Sequence, residues 1–578
     1  MIEENKTKKI WLKILLGAFY FFIFAMLLHN SFSYLDPDFG WHLKMGEQIW
    51  QTHAVPDINN EDYTLAGTHW VDHEWLANLF IYLVYHHFGY IVLNILFALL
   101  IIAALVIQLQ FTRKFFLEND RGLIFTLILQ AFGLYAALPH LGVRVQEISI
   151  FLLLVLGIII YLYNKNKNFR ILFWLLPLFL FWASAHAGFL IGLFILGMFV
   201  LVKAAELFIA RKSSRQFLDY GKVLSLKQIG TFTGFSFLAL AATIITPYGW
   251  RLYVFLLGYS SAFYKLHISE WQGQYFFPFV YPQLIYIEII LIFLVLVFFS
   301  AFIFKGERRQ KTSLYDLALT VLFTGLAIKA RRHFPLLFIA SLPIAAKFFI
   351  DFFLLNLAVV KTNQALSDGR AAVGAKRKAG WFFRFGGFLA EFFQNKKLVI
   401  KKWFIIVLSL ALLVSGVIIA SKIKFTNHPE SAYAGDYPYR AVDFLRAHPE
   451  WSDLKILNNY GWGGFLIWQY PERKLFIDGR LPQYSLRGRT ALEEYEDFFN
   501  PEKMQAQLKN YDIGLILISP QEQYLKIDWL EKGFFSVNEK LISNDVKKSF
   551  ALLEYLKSSS DWRSVYNDGT AEIFVINK

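Results

Sequence analysis

The chain has 578 residues, 56% of them hydrophobic and 18% aromatic, with 61 Phe and a mean hydropathy of +0.41. A soluble globular domain of this size does not carry that balance, so the sequence reads as a multi-spanning membrane protein with room for a helical bundle and one further domain. It has no cysteine, which excludes disulfides, thiolate catalysis and thiolate metal sites, and its net charge is +14.

Apolar runs predict about eleven spans, near 11–32, 89–111, 122–139, 148–163, 171–186, 188–209, 228–246, 283–304, 314–330, 334–356 and 403–421. The first follows Lys6, Lys8 and Lys9, is too long for a signal peptide and lacks a small-residue cleavage site, so it reads as a retained anchor. Residues 74–88 read as a further short span or a helix lying at the interface, and the charge arithmetic favours the interface helix. With the N-terminus inside, the inner segments 1–13, 112–121, 164–170, 203–230, 305–311 and 357–402 carry 30 Lys and Arg, against seven in the outer segments up to residue 333. That asymmetry is the positive-inside bias, and it directs the charge at an anionic inner leaflet, so nucleic acid is not implied. The expected location is the cytoplasmic (plasma) membrane, with the N-terminus inside and a C-terminal domain outside.

Between the first two apolar runs lies a loop, Ser33 to Trp75, holding eight carboxylates, four histidines and four tryptophans. It opens Asp36-Pro37-Asp38-Phe39-Gly40-Trp41-His42 and closes Trp70-Val71-Asp72-His73-Glu74-Trp75. Pro37 fixes the two carboxylates in an extended turn at the mouth of the first span. A carboxylate partly removed from water there has a raised pKa and suits a general base acting on a hydroxyl. The plainer alternative is a helix stop that solvates the end of the span.

The same topology puts His140, Arg144, His186, the segment Thr246-Pro247-Tyr248-Gly249-Trp250, Glu270-Trp271 and Arg331-Arg332-His333 on the outer side. An outward-facing active site accounts for this convergence, whereas an ion pathway would place charges through span interiors, which here are nearly uncharged. Arg331 and Arg332 are candidates for holding phosphate, for which guanidinium offers bidentate hydrogen bonds; Arg144 and Arg251 are weaker ones. His73-Glu74 begins like a zinc-protease helix, but Ala77 stands where the second histidine belongs. No cofactor is expected, and a divalent cation held by Asp38 and nearby histidines is the alternative. Trp41, Trp70, Trp75, Trp250 and Trp271 fit an interfacial belt or a platform for sugar rings.

After Ser421 the long apolar runs end. Strands are predicted at Leu454–Asn458, Lys474–Ile477, Ile513–Ser519 and Glu572–Ile576, and helices at Tyr439–Ala447, Ala491–Phe498 and Lys548–Lys557, an α/β pattern. The division is thus 1–421 for the membrane domain and 422–578 for an extracytoplasmic domain. Within the latter, Trp462-Gly463-Gly464 and Asp478-Gly479-Arg480 stand out as a close backbone approach and a charged turn.

Taken in order, Asp36-Pro37-Asp38, Trp41-His42, Val55-Pro56, Asp62-Tyr63-Thr64, His73-Glu74-Trp75, Trp182-Ala183-Ser184-Ala185-His186, Pro247-Tyr248-Gly249-Trp250, Glu270-Trp271, Arg332-His333-Phe334-Pro335, Trp462-Gly463-Gly464 and Asp478-Gly479-Arg480 resemble a bacterial family of polytopic proteins. That family is placed with the GT-C type glycosyltransferases, the superfamily of the protein O-mannosyltransferases. The chain departs from the family pattern at Ser184, where Asn is expected, and at Ala187, where Gly is expected. The resemblance implies a helical membrane bundle, a polyprenyl-phosphate-linked sugar donor, and a catalytic acidic residue in the first external loop, which maps onto Asp36 or Asp38. The expected activity is inverting sugar transfer to a glycan, lipid or protein acceptor, in contact with membrane lipids. His42, His73, Glu74, His186, Trp271, Arg331, Arg332 and His333 are expected to bind substrate. The alternatives are a transporter or flippase of lipid-linked saccharides and a non-catalytic scaffold for envelope assembly.

Overall fold

The computed structural model describes residues 2–117, 122–212, 223–258, 262–303, 313–349, 402–520, 527–540 and 550–577. Among these, seven helices are long and apolar enough to cross a membrane: Ile10–Ser31, Trp75–Phe115, Leu123–His140, Gln146–Asn166, Phe189–Arg211, Tyr281–Phe299 and Trp403–Ala420. The other expected spans are also helical, at Leu175–Ala185, Leu226–Ile244, Leu314–Lys329 and 334–349, but are shorter or more polar. The strongly basic stretch 357–401 lies outside the described residues.

Two local features differ from the simple hydropathy pattern. Trp75–Phe115 is two helices meeting at Gly89, whose φ of 80° is a conformation that glycine adopts without strain. The Asn427 side chain accepts the Ile91 N–H at 3.0 Å across that break, so 75–88 is a separate piece set before the span proper. The inner segment expected to begin at 203 instead starts within the helix Phe189–Lys212, where buried Lys203 meets Glu206 at 2.8 Å. This span is therefore charged inside, and the pair is tolerated because each ion has its opposite one turn away.

The C-terminal domain contains β1 (Lys455–Asn458), a short pair β2 (Ser485–Leu486) and β3 (Arg489–Thr490), β4 (Ile513–Ile518), β5 (Trp562–Asn567) and β6 (Glu572–Ile576). Four of them form a mixed sheet in the order β1-β4-β6-β5, with β1 and β4 parallel and the other pairings antiparallel. All six residues of β4, Ile-Gly-Leu-Ile-Leu-Ile, are buried, as suits a central strand covered on both faces. The predicted strands at 454–458, 513–519 and 572–576 are present. Lys474–Ile477 makes only an isolated parallel bridge, Leu475 to Asp62, because its partner is the loop 33–75 and not a strand of its own domain.

That bridge is part of a docking between the loop and the domain. Tyr63 N–H donates to the Leu475 carbonyl at 3.0 Å and Leu475 N–H to Glu61 at 2.9 Å. The Tyr63 hydroxyl reaches Ile456 and the Thr64 hydroxyl reaches Phe476, at 3.0 and 2.6 Å. Buried Arg480 forks onto both oxygens of Asp478 at 3.0 and 2.7 Å, donates to Asn59 and Glu61, and lies 4.8 Å above the Trp70 ring. The domain is thus bolted to the loop that carries the acidic doublet.

Candidate active site

The doublet is placed by the end of the first span. Asn30 donates its amide hydrogens to the carbonyls of Leu138 and Leu141 at 3.1 and 2.9 Å, which sets residues 138–144 beside the turn at 35–38. Arg144 Nε consequently lies 2.5 Å from Asp36 Oδ2, an ion pair whose angle is not that of a hydrogen bond. Asp36 in turn accepts the Asp38 N–H at 2.9 Å, and Asp38 accepts from the Trp41 indole at 3.0 Å. Burial, and secondly the charge of Asp36, push the Asp38 carboxyl up to about 8. The backbone of the C-terminal domain closes over it. A Cβ on Gly479 would stand 2.8 Å from Asp38 Oδ1, and one on Gly464 would stand 2.2 Å from the Pro37 carbonyl oxygen. Only glycines permit that approach.

Opposite the doublet, charges alternate in a chain. Arg144 also faces Glu270 at 3.7 Å, and Glu270 accepts from Arg332 Nη1 at 3.1 Å. The Arg332 guanidinium stacks 4.3 Å from the Trp271 ring. Burial would raise Glu270, but the Arg332 and Arg144 charges override it and hold the carboxyl below its usual range. Arg331 differs from its neighbour. It is buried, donates through Nη2 to the Phe276 carbonyl, and contacts no carboxylate among the described residues; its Nε has no hydrogen-bond partner there. Burial accordingly lowers its pKa. His333 donates to the Leu326 carbonyl at 3.2 Å, and burial together with Arg332 brings it down to about 4, so it is neutral.

A third group surrounds Glu74. His73 Nε2 lies 3.5 Å and His186 Nε2 3.6 Å from Glu74 Oε1. Burial would raise Glu74, yet His73, with help from His186 and His42, holds it at about 2. For His73, burial alone would favour the neutral ring, and Glu74 reverses this and raises its pKa. His186 accepts the Gly188 N–H on Nδ1 at 3.0 Å and meets Ser149 Oγ at 2.6 Å, which leaves its proton on Nε2, towards Glu74. Burial lowers His186 to about 4. His42 Nδ1 contacts Asn78 Oδ1 at 2.6 Å, and the Asn78 amide donates to both oxygens of Asp72 at 2.8 and 2.9 Å. That fixes the donor on His42 Nδ1, while burial keeps the ring neutral.

Asp36, Asp38, His42, His73, Glu74, His186, Trp271, Arg331, Arg332 and His333, separated by up to nearly three hundred positions, line one cavity of about 640 Å³. Arg144 lines it too, whereas Arg251 is exposed and does not. Tyr460, Gly461 and Arg480 of the C-terminal domain also line it, residues of stretches that stand out in the sequence without being assigned to the site; sequence reasoning passed over Ser149 in its wall and Asn78 behind it. Asn78 stands four residues after Glu74 at the start of the same helix, a spacing that could have been read; Ser149, inside an apolar span, gave no signal. Among the described residues, no group of three or more His, Asp or Glu is arranged to hold a metal ion.

Fold and site together define a multi-spanning membrane protein with an acidic and guanidinium-rich cavity at one end of its bundle, roofed by a C-terminal α/β domain. No family model and no curated protein matches the sequence. Several solved structures are similar, two of them oligosaccharyltransferase structures. One is the Archaeoglobus fulgidus oligosaccharyltransferase in the apo form, 12% identical, with 88% of this chain and 69% of that chain covered and a TM-score of 0.46. The other is the archaeal oligosaccharyltransferase AglB from Archaeoglobus fulgidus, in complex with an inhibitory peptide and a dolichol-phosphate, also 12% identical, with 99% and 75% covered and a TM-score of 0.49. Likenesses this distant assign neither family nor activity, so the functional argument rests on the cavity.

Proposed function

We propose that the protein is a membrane glycosyltransferase of GT-C type that moves a sugar from a polyprenyl-phosphate-linked donor to an acceptor hydroxyl on the outer face of the cytoplasmic membrane. The observation that carries this reading is that the acidic doublet and the arginine pair line the same cavity. Asp38 is the base. Asp36 is already committed to Arg144, whereas Asp38 has a carboxylate with raised proton affinity and no cationic partner in hydrogen-bond contact among the described residues. In the reaction Asp38 takes the hydroxyl proton as the acceptor oxygen bonds to the anomeric carbon. The bond from that carbon to the donor phosphate breaks, and the phosphate leaves with the electron pair. Displacement in one step inverts the anomeric centre.

Arg331 receives the leaving phosphate, with Arg332 beside it. A preorganised, desolvated guanidinium without a carboxylate partner is suited to charge that develops on the leaving group. Trp271, His42, His73, Glu74, His186 and His333 shape the remaining wall for the sugar and acceptor, which is a glycan, lipid or protein. The test is sugar transfer by purified protein from a panel of polyprenyl-phosphate sugars, with Asp36→Asn and Asp38→Asn in parallel. Full activity in Asp38→Asn would remove the base assignment, and absence of transfer from every donor by the parent protein would remove the reading itself.

A further inference from the structure

Outside the cavity, the most unusual surface lies on the C-terminal domain. Trp529 and Phe534 are 81% and 78% exposed, although a soluble domain has no reason to offer two large apolar side chains within six positions to water. They flank the short helix Trp529–Gly533, whose first turn is fixed by Asp528 accepting the Glu531 N–H at 2.8 Å. The adjoining Phe535 turns inward, its ring 4.2 Å from Phe279 and 6.4 Å from Tyr281. Tyr281 also donates to Asp528 at 3.4 Å.

Tyr281 is the first residue of the membrane span Tyr281–Phe299, so these contacts fix the height of the segment in the bilayer. Residues at the head of a span stand at the interface between headgroups and hydrocarbon. Trp529 and Phe534 therefore project at the level where lipid begins. The short helix Arg251–Leu257 has a matching face. Trp250, Val254 and Leu257, at spacings of four and three, are 68%, 58% and 76% exposed, while Leu252 and Phe255 on the opposite side are buried. Phe255 lies 5.3 Å from the His73 ring and Leu256 lines the cavity, so this helix is also a wall of it.

We propose that Trp529 and Phe534 insert into the leaflet on the cavity side, making 529–534 a membrane seat for the C-terminal domain, with Trp250, Val254 and Leu257 as a second seat. The partner is the lipid surface itself: Trp sits at the headgroup boundary, Phe reaches the upper acyl chains, and Lys532 stands among the headgroups. The inference depends on the membrane spans alone and not on the chemistry proposed for the cavity. Its consequence is mechanical. A domain held at two points on the bilayer keeps Gly464 and Gly479 pressed on the acidic doublet, which contacts within the protein would otherwise have to do unaided.

The absence of cysteine makes the test clean. Trp529→Cys, Phe534→Cys, the span control Val414→Cys and the water control Glu450→Cys are each labelled with one nitroxide. All are reconstituted in nanodiscs of phosphatidylethanolamine and phosphatidylglycerol, and collision rates with oxygen and with a nickel chelate are compared. Immersion predicts that 529, 534 or both show an oxygen-to-nickel ratio well above that of the Glu450 site, approaching that of Val414. Ratios at both positions equal to the Glu450 control would overturn the proposal, including the case in which the patch docks another protein. Because the readout is accessibility and not turnover, its failure is distinct from failure of the transferase reading.

Discussion

Replacing Asp36 by Asn is expected to move the pH dependence of turnover downwards. Burial is the larger of the causes that hold the Asp38 carboxyl at about 8, and the charge of Asp36 is the second. Two unit charges about 5 Å apart at an effective dielectric of about 20 interact by about 3 kcal/mol, or about 2 pKa units. Loss of the Asp36 charge removes this repulsion and should lower Asp38 by up to about 2 units. The uncompensated Arg144 then acts in the same direction. The assay is kcat/KM for sugar transfer across pH. The parent should show a rising limb near 8, where Asp38 loses its proton, and Asp36→Asn a limb displaced to lower pH. Asp38→Asn should abolish the limb and lower kcat by roughly 10²–10⁴-fold, the usual contribution of a general base. A limb that stays in place in Asp36→Asn, or moves upward, refutes the assignment of Asp38.

The remaining expectations concern stability and placement. A carboxyl raised in the fold binds its proton more tightly there than in the unfolded chain, so stability falls as pH rises from about 4 to about 8. Asp38→Asn lacks that loss, and its Tm should exceed the parent's by a margin that widens over this interval. Arg331→Lys should raise KM for the lipid-phosphate donor and lower kcat/KM by about 2–4 kcal/mol, with Arg332→Lys milder because Arg332 already has Glu270; initial rates with varied donor measure this. Gly479→Ala drives a Cβ to 2.8 Å from Asp38 Oδ1, so kcat should drop at least about tenfold while the domain stays folded by circular dichroism. Arg480→Met leaves buried Asp478 without its fork and should cost about 3–5 kcal/mol, seen as protease cleavage within the C-terminal domain under conditions where the parent resists.

Much of this architecture was legible because the signals are local. The eleven apolar runs are helical where described, because backbone N–H and C=O groups removed from water must pair within their own segment, so an apolar run of span length is a sufficient signal. Leu454–Asn458 and the Ile513 strand were readable as apolar β-prone runs bounded by turns. β5 escaped because Trp-Arg-Ser-Val-Tyr-Asn lies at the sheet edge, half open to water, and has neither an apolar run nor a strict alternation. Leu475 misled for the opposite reason, since its extended backbone pairs with Asp62, more than four hundred positions away. In the site, the acidic doublet and the arginine pair advertise themselves by the cost of charge next to hydrocarbon. The division of labour within each pair was invisible. Which aspartate is held by Arg144, and which arginine by Glu270, depends on loops that meet only in the folded chain.

That division is also what gives the cavity a direction. Asp36, Arg144, Glu270 and Arg332 form a chain of alternating charges, and each member is offset by a neighbour within 4 Å. Glu74 is likewise offset by two imidazoles. Two lining groups have no opposite charge in contact with them among the described residues: Asp38, kept high in proton affinity, and Arg331, kept in a site that disfavours its charge. A fold bears the cost of such groups where a substrate completes them, and the complements they lack are a proton and an anion. In the reaction proposed above, an acceptor hydroxyl would supply the first and a donor phosphate the second. One bond between sugar and phosphate, placed between these two groups, would satisfy both at the moment it breaks.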